Sequence, residues 1–298
     1  ELLGPGEFVH LDLSKNELSG HIPADINMHF TAVIQLSLAD NKLEGPIPAS
    51  VGNMGSVLYL DMSKNRLTGI IPDSFGNTIF YTLLLADNEL EGSIPASLGS
   101  EAMRSLKILD LSKNRLRGNI PPSLGNALSL EVLNLENNTL EGDIPANIGN
   151  LSFLVILNMA NNHLTGEIPK ELCNMKKLMS LRIGKNNLHG HLPESLRNLS
   201  LLQVLDVGHN NITGNIPDWI SDFSSLQVLV TRLNKFKGKL PHQIGQMPRL
   251  QILDLSSNLL SGDIPESYFT FSAMGQQNQN MSKIGENRKS QFVDNNVI

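Results

Sequence analysis

The chain has one cysteine, Cys173, among 298 residues, one tryptophan, and only 5% aromatic residues. A single cysteine excludes an intrachain disulfide framework and, taken alone, points to a reducing compartment. So few aromatics leave leucine to do most of the packing. The 23 basic and 29 acidic residues give a net charge of −6, and Lys/Arg blocks are missing, which excludes the clustered basic footprint of a nucleic-acid-binding face. Uninterrupted apolar runs are far shorter than the ~20 residues that span a bilayer, so no membrane contact is expected within this stretch. Glu1 is not followed by a basic region and an apolar run, so a secretion signal is expected to have been removed or to lie outside this sequence. Kinase, P-loop and Ser-His-Asp signatures are missing too, so neither an enzyme nor a cofactor is expected.

What the sequence has is a repeat. A cycle reading L-x-x-L-x-L-x-x-N-x-L-x-G-x-I-P recurs eleven times, with asparagines at Asn16, Asn41, Asn65, Asn88, Asn114, Asn138, Asn162, Asn186, Asn210, Asn234 and Asn258. The spacings run from 23 to 26 residues and settle at 24 for the last six steps. Periods of this size mean a solenoid, in which each unit buries its apolar side only against its neighbours.

Each part of the cycle has a physical reading. The alternation in Leu109-Asp110-Leu111 or Leu205-Asp206-Val207 marks a short strand with one face inside and one outside. Stacked copies pair as a parallel sheet with strands ~4.8 Å apart. The asparagine turns inward, where its amide is tolerated only with its donors and acceptor satisfied, and the backbone of adjacent turns can do that. Gly118 to Pro121 and Gly166 to Pro169 supply a permissive backbone position, a buried aliphatic and a fixed φ, and are expected to turn the chain to the outer side. There, stretches such as 49–53 and 96–99 read as single turns of 3₁₀ or α-helix, stable only when stacked.

The L-x-G-x-I-P signature after the asparagine resembles the plant-specific class of leucine-rich repeats, and the resemblance covers roughly residues 8–267. It implies an α/β repeat fold: a right-handed leucine-rich-repeat solenoid, with a parallel β-sheet on the concave face and short 3₁₀ or α turns on the convex face. Residues 1–267 would form eleven repeats. The run Asp218-Trp219-Ile220, 225–230, Asn234-Lys235-Phe236 and 250–258 is similar to the last repeats before the non-repeat island of plant receptor-like proteins. Residues 268–298, from Tyr268-Phe269 into a Gln-, Asn- and Ser-rich tail, then read as an island-like, poorly ordered segment. The family's paired-cysteine caps are not in this sequence, so flanking sequence is expected to be missing or the product truncated; family disulfides concentrate in those caps, which weakens the reducing-compartment reading.

Function in this family means recognition on the concave face. The resemblance implies a ligand-binding ectodomain of a plant cell-surface receptor, in signalling or defence, at the outer face of the plasma membrane or in the apoplast. Its partners would be a peptide or protein ligand and a leucine-rich-repeat co-receptor kinase. Exposed strand positions would supply the contacts: Tyr59, Tyr81, Lys107, Glu131 and Glu136, then Arg182, Lys185, Gln203, Asp206, His209, Gln227 and Arg232. In the tenth repeat Thr231 replaces an inward aliphatic and Leu233 precedes the asparagine, so that coil is expected to be irregular. Sequons at Asn137, Asn150, Asn198, Asn211 and Asn280 read as surface glycosylation sites. Two rival readings are an inhibitor of cell-wall-degrading hydrolases, similar to polygalacturonase inhibitors, and a structural or ice-binding repeat protein. The latter would need a flat Thr- or Ser-rich stripe.

Other residues read as structural. Cys173, without a Cys or His nearby, reads as a buried small hydrophobe. His189 and His191, too close together for a helical metal pair, read as solvated surface residues. Asp12, Asp61, Asp110, Asp206 and Asp254 share one strand position because they are in register with the repeat, not as a catalytic carboxylate pair.

Overall fold

The computed structural model describes residues 9–270, and in them each repeat is one coil of a solenoid. Coils are numbered here from one (Asn16) to eleven (Asn258). Three-residue strands, from His10–Asp12 through Ile108–Asp110 to Ile252–Asp254, form one 11-stranded parallel sheet that follows the order of the chain. The pairing is in strict register: Leu109, Leu133, Leu157, Leu181, Leu205 and Leu229 stack directly on one another, and all are fully buried. Burying one such side chain contributes roughly 2 kcal/mol, so the alternation seen in the sequence is what pins the register. On the opposite side lie 3₁₀ turns, such as Pro122–Asn126 and Ala146–Asn150, each entered through a proline in extended conformation.

The L-x-G-x-I-P stretch does more than turn the chain, as the sequence had suggested. It forms a second tier of parallel strands: Ser19–His21, Lys42–Pro46 and Arg66–Thr68; then Glu91–Gly92, Arg115–Asn119, Thr139–Asp143 and His163–Thr165; then Thr213–Asn215, Lys235–Gly238 and Leu259–Leu260. Its glycine is needed for two reasons. Gly190, for example, has φ +80°, and a Cβ there would lie 2.8 Å from the Glu167 side chain of the coil below.

The asparagine ladder joins the two tiers. In coil seven, Asn162 donates to the carbonyls of Leu135, Met159 and Ala160 at 3.0, 3.1 and 3.3 Å and accepts the N–H of Leu140 at 3.0 Å. One carboxamide thus serves two coils, and the pattern recurs from Asn41 to Asn258. Burial is not uniform as expected. The eight ladder asparagines from Asn65 to Asn234 are buried, whereas Asn16 and Asn258, in the first and last described coils, are exposed and half-buried, and Asn41, next to the first, is half-buried.

Coil ten corrects another expectation, because its backbone is regular. Asn234 makes the full set of ladder bonds, to Val207, Thr231 and Arg232 carbonyls and from the Ile212 N–H. The irregularity is chemical: Thr231 is completely buried where ten other coils place an aliphatic, and its hydroxyl has no hydrogen-bond partner among the described residues. Thr231→Val, which removes that hydroxyl without changing shape, is therefore expected to stabilise the chain by about 1 kcal/mol, read as a higher urea midpoint. Cys173 is half-exposed, not buried, because its place in the 3₁₀ turn Lys170–Asn174 faces outward. The last turn, Glu266–Thr270, holds Tyr268 against the core, its hydroxyl donating to the Pro241 carbonyl at 3.2 Å and its pKa pushed up to about 12 by burial. The rest of the expected island and the Asn280 sequon lie outside the described residues.

Candidate functional site

Along most of the inner sheet the side chains close over themselves. Leu84, Ile108, Val132 and Ile156 pack into a satellite cluster, and Ile108 and Val132 are only 2% exposed, so this part of the face offers no opening. Tyr59 and Tyr81 meet edge to face at 6.0 Å on adjacent coils, and Lys107 pairs with Glu131 at 3.6 Å. These four candidates sit on the face away from the depression around Asp206.

The mid-strand aspartates have a local task. Asp61, Asp110 and Asp254 each accept both the N–H and the hydroxyl of the serine two residues on, the hydroxyl at 2.6 Å in each case. Hydrogen bonding from Ser14 and Ser256 holds Asp12 and Asp254 below the ordinary carboxylate range. Asp206 is the exception. Its counterpart is Gly208, which has no hydroxyl, so the carboxylate receives one N–H at 2.9 Å. Burial raises its pKa, outweighing that bond and the nearby charges of Arg182, Arg232 and His209. The Arg232 guanidinium is drawn to Asp254 instead, at 3.6 Å.

Around Asp206 the face opens into a depression of about 200 Å³, lined by Glu136, Asn137, Ala160, Asn161, Gly184, Lys185, Asp206, Gly208, His209 and Arg232. Its floor exists because two consecutive coils have glycine, Gly184 and Gly208, where the others carry Ser, Ala, Glu or Arg. Its wall is the row of residues preceding the ladder asparagines, all in the left-handed region: Asn137 at φ +56°, Asn161 at +57°, Lys185 and His209 at +55°. Asparagine tolerates that conformation because its short polar side chain can hydrogen-bond locally. The Asn161 amide donates to Asn137, Asn158 donates to Glu136 at 2.9 Å, and the His209 Nε2 is buried without a partner among the described residues. Mixed charge on a rigid, partly desolvated wall suits a polar segment held in one orientation.

Five of the twelve expected contact residues therefore meet in one place: Glu136, Lys185, Asp206, His209 and Arg232. Arg182 flanks it as the in-register neighbour of Asp206, and Gln203 and Gln227 lie side by side at the strand entrances. Asn137, Asn161 and the two glycines were missed, although the glycine pair is visible in the alignment of the repeats. Among the described sequons, Asn150, Asn198 and Asn211 are exposed, while Asn137 is half-buried and bonded in the groove wall. His189 and His191 are exposed, as expected, and no group of three His, Cys, Asp or Glu among the described residues could hold a metal ion.

Comparison with known proteins gives consistent results. Family profiles described as leucine-rich repeat region, leucine rich repeat and leucine-rich repeat match residues 90–209, 202–260, and 8–28 with 56–78. No curated protein sequence matches the chain. Among solved structures, the plant peptide hormone receptor RGFR1 in complex with RGF2 is 34% identical, with TM-score 0.86, over 89% of this chain and 42% of that one. The Arabidopsis receptor kinase HAESA, solved with the peptide hormone IDA and the co-receptor SERK1, is 31% identical, with TM-score 0.74, over 88% and 48%. A plant ice-binding protein is 30% identical, with TM-score 0.67, over 78% and 75%. The chain thus spans less than half the length of these two receptors.

Proposed function

Because the chain belongs to the leucine-rich-repeat family and is similar to plant receptor ectodomains over most of its length, we propose that it is the ligand-binding part of a plant cell-surface receptor, taking an extended peptide into the groove of coils six to ten. The observation that carries this reading is the depression over Gly184 and Gly208, where seven charged or polar side chains from five successive repeats converge. We read this groove as a recognition surface. Its mechanism is shape and hydrogen bonding on a rigid sheet, with an extracellular location and pairing with a leucine-rich-repeat co-receptor following from the likeness to the HAESA complex with IDA and SERK1. Glycans on Asn150 and Asn198, both at the ends of outer-face 3₁₀ turns, and on Asn211 would leave the groove clear.

The likeness to an ice-binding protein keeps one second reading in view. Ice recognition needs a flat, regular hydroxyl stripe, and the inner rows here mix Tyr, Lys, Glu, Arg, Asp and Gln. Both readings are tested together. A displayed library of random dodecapeptides is selected on the folded chain, and the enriched peptides are measured against Arg182→Ala/Arg232→Ala. The expected result is binders that lose at least about tenfold affinity on the double variant, since each arginine removed from a partly buried site costs on the order of 1 kcal/mol or more. Unchanged binding, or thermal hysteresis with no peptide enriched, would sink the receptor reading.

A further inference from the structure

The left-handed row that walls the groove from Asn137 to His209 continues into coil ten, and there the residue is Leu233, at φ +52°. Of the eleven non-glycine residues with positive φ among the described residues it is the only aliphatic one; the others are Lys, Asp, Asn, His or Ser. Any Cβ in this conformation crowds the following carbonyl, and leucine lacks the local side-chain hydrogen bonding that offsets this for asparagine or aspartate. It cannot relax: the Leu233 N–H donates to the Ser256 carbonyl at 2.9 Å, and its own carbonyl accepts from the Asn210 N–H at 3.1 Å. Nor is the strain offset by burial, since the residue is 45% exposed. Single exposed leucines are ordinary, but one that is both exposed and held in a disfavoured backbone region is not.

A second cost lies two residues away, in the buried, unpartnered hydroxyl of Thr231. Between the two sits Arg232, which lines the groove. Coil ten thus breaks the repeat pattern on both sides of a groove residue, each time toward lower stability. Departures from local rules of this kind concentrate where a chain binds something.

We propose that Leu233 is a specificity-determining contact for the bound peptide, receiving an apolar side chain just beyond the polar groove. This rests on the peptide-binding reading of that groove. Lys185, His209 and Leu233 follow one another on successive coils, so two coil steps of ~4.8 Å separate the polar wall at Lys185 from Leu233. An extended peptide advances ~3.3 Å per residue and covers that distance in about three residues. The ligand therefore carries a polar or charged residue in the groove and an aliphatic or aromatic residue about three positions away.

The test uses peptides selected from the dodecapeptide library on the wild-type chain, measured against Leu233→Asn, Leu233→Met and the groove-filling variant Gly208→Leu. Asparagine occupies the equivalent place in coils six and seven, so Leu233→Asn retains the fold and is expected to raise the thermal midpoint by about 2–4 °C. It should weaken the selected peptides by at least about tenfold, while Leu233→Met stays within about threefold, and the peptides should share the polar-to-apolar spacing of about three residues. If Gly208→Leu abolishes binding and Leu233→Asn leaves it unchanged, the groove reading stands and the role of Leu233 falls. If neither variant changes binding, the groove reading itself falls. A lower thermal midpoint for Leu233→Asn would make Leu233 a structural residue and overturn the inference.

Discussion

Asn162→Ala is expected to destabilise the solenoid by about 3 kcal/mol or more, as is the same change at any other buried ladder position. The buried Leu140 N–H loses its acceptor, and three carbonyls each lose one donor, Leu135 and Met159 keeping the Asn138 and Asn186 amides and Ala160 the Asn137 N–H. An orphaned buried donor alone costs about 1–3 kcal/mol, and the vacated volume adds to it. The loss should be local first, because each coil touches only its neighbours. Hydrogen exchange should therefore accelerate in coils six and seven before the urea midpoint of the whole chain shifts. Asn16→Ala is the control: Asn16 is exposed and, among the described residues, its side chain bonds the Leu13 and Ser14 carbonyls of its own coil, so its loss should cost under about 1 kcal/mol. Equal effects at the two positions would mean that the inter-coil bonds contribute little.

Gly208→Leu should reduce peptide binding by at least about 100-fold while leaving the coil folded. A Cβ at Gly208 would meet the Val230 Cγ1 at 3.0 Å and the Arg232 Cγ and Asp206 Oδ1 at 3.3 Å, all side-chain atoms that can shift. Gly208 also has an ordinary backbone conformation, and its counterparts in other coils are Ser, Ala, Glu and Arg. The stability cost is therefore small, about 1 kcal/mol. The binding cost is large because an isobutyl group fills the depression and covers the Asp206 carboxylate. Far-ultraviolet circular dichroism checks the fold, and titration of selected peptides checks the loss. Retained affinity in a folded variant would show that the ligand lies elsewhere on the sheet.

The eleven-coil plan was legible because its causes are local and repeated. The period-2 leucines and the asparagine each recur at a fixed place, so one copy explains the others. The second tier of strands was less legible. Gly and Pro in L-x-G-x-I-P read as breakers in a single repeat, and pair as strands only once neighbouring coils are stacked at 24-residue spacing, as for Arg117 with Thr139. Asp110 shows the same limit: it occupies an outward strand position but is 1% exposed, because adjacent coils crowd it.

The sequence by itself determined the repeat, the parallel sheet, the ladder and the class of molecule, since each follows from hydrophobic periodicity and from the hydrogen-bonding needs of one buried amide. Tertiary structure decided where that molecule can bind. Twelve outward residues were equivalent candidates as letters in a repeat, but curvature and packing closed the face over Ile108 and Val132 and left it open over Gly184 and Gly208. Accessibility depends on what the neighbouring coils place alongside a residue, which the composition of any one coil does not contain.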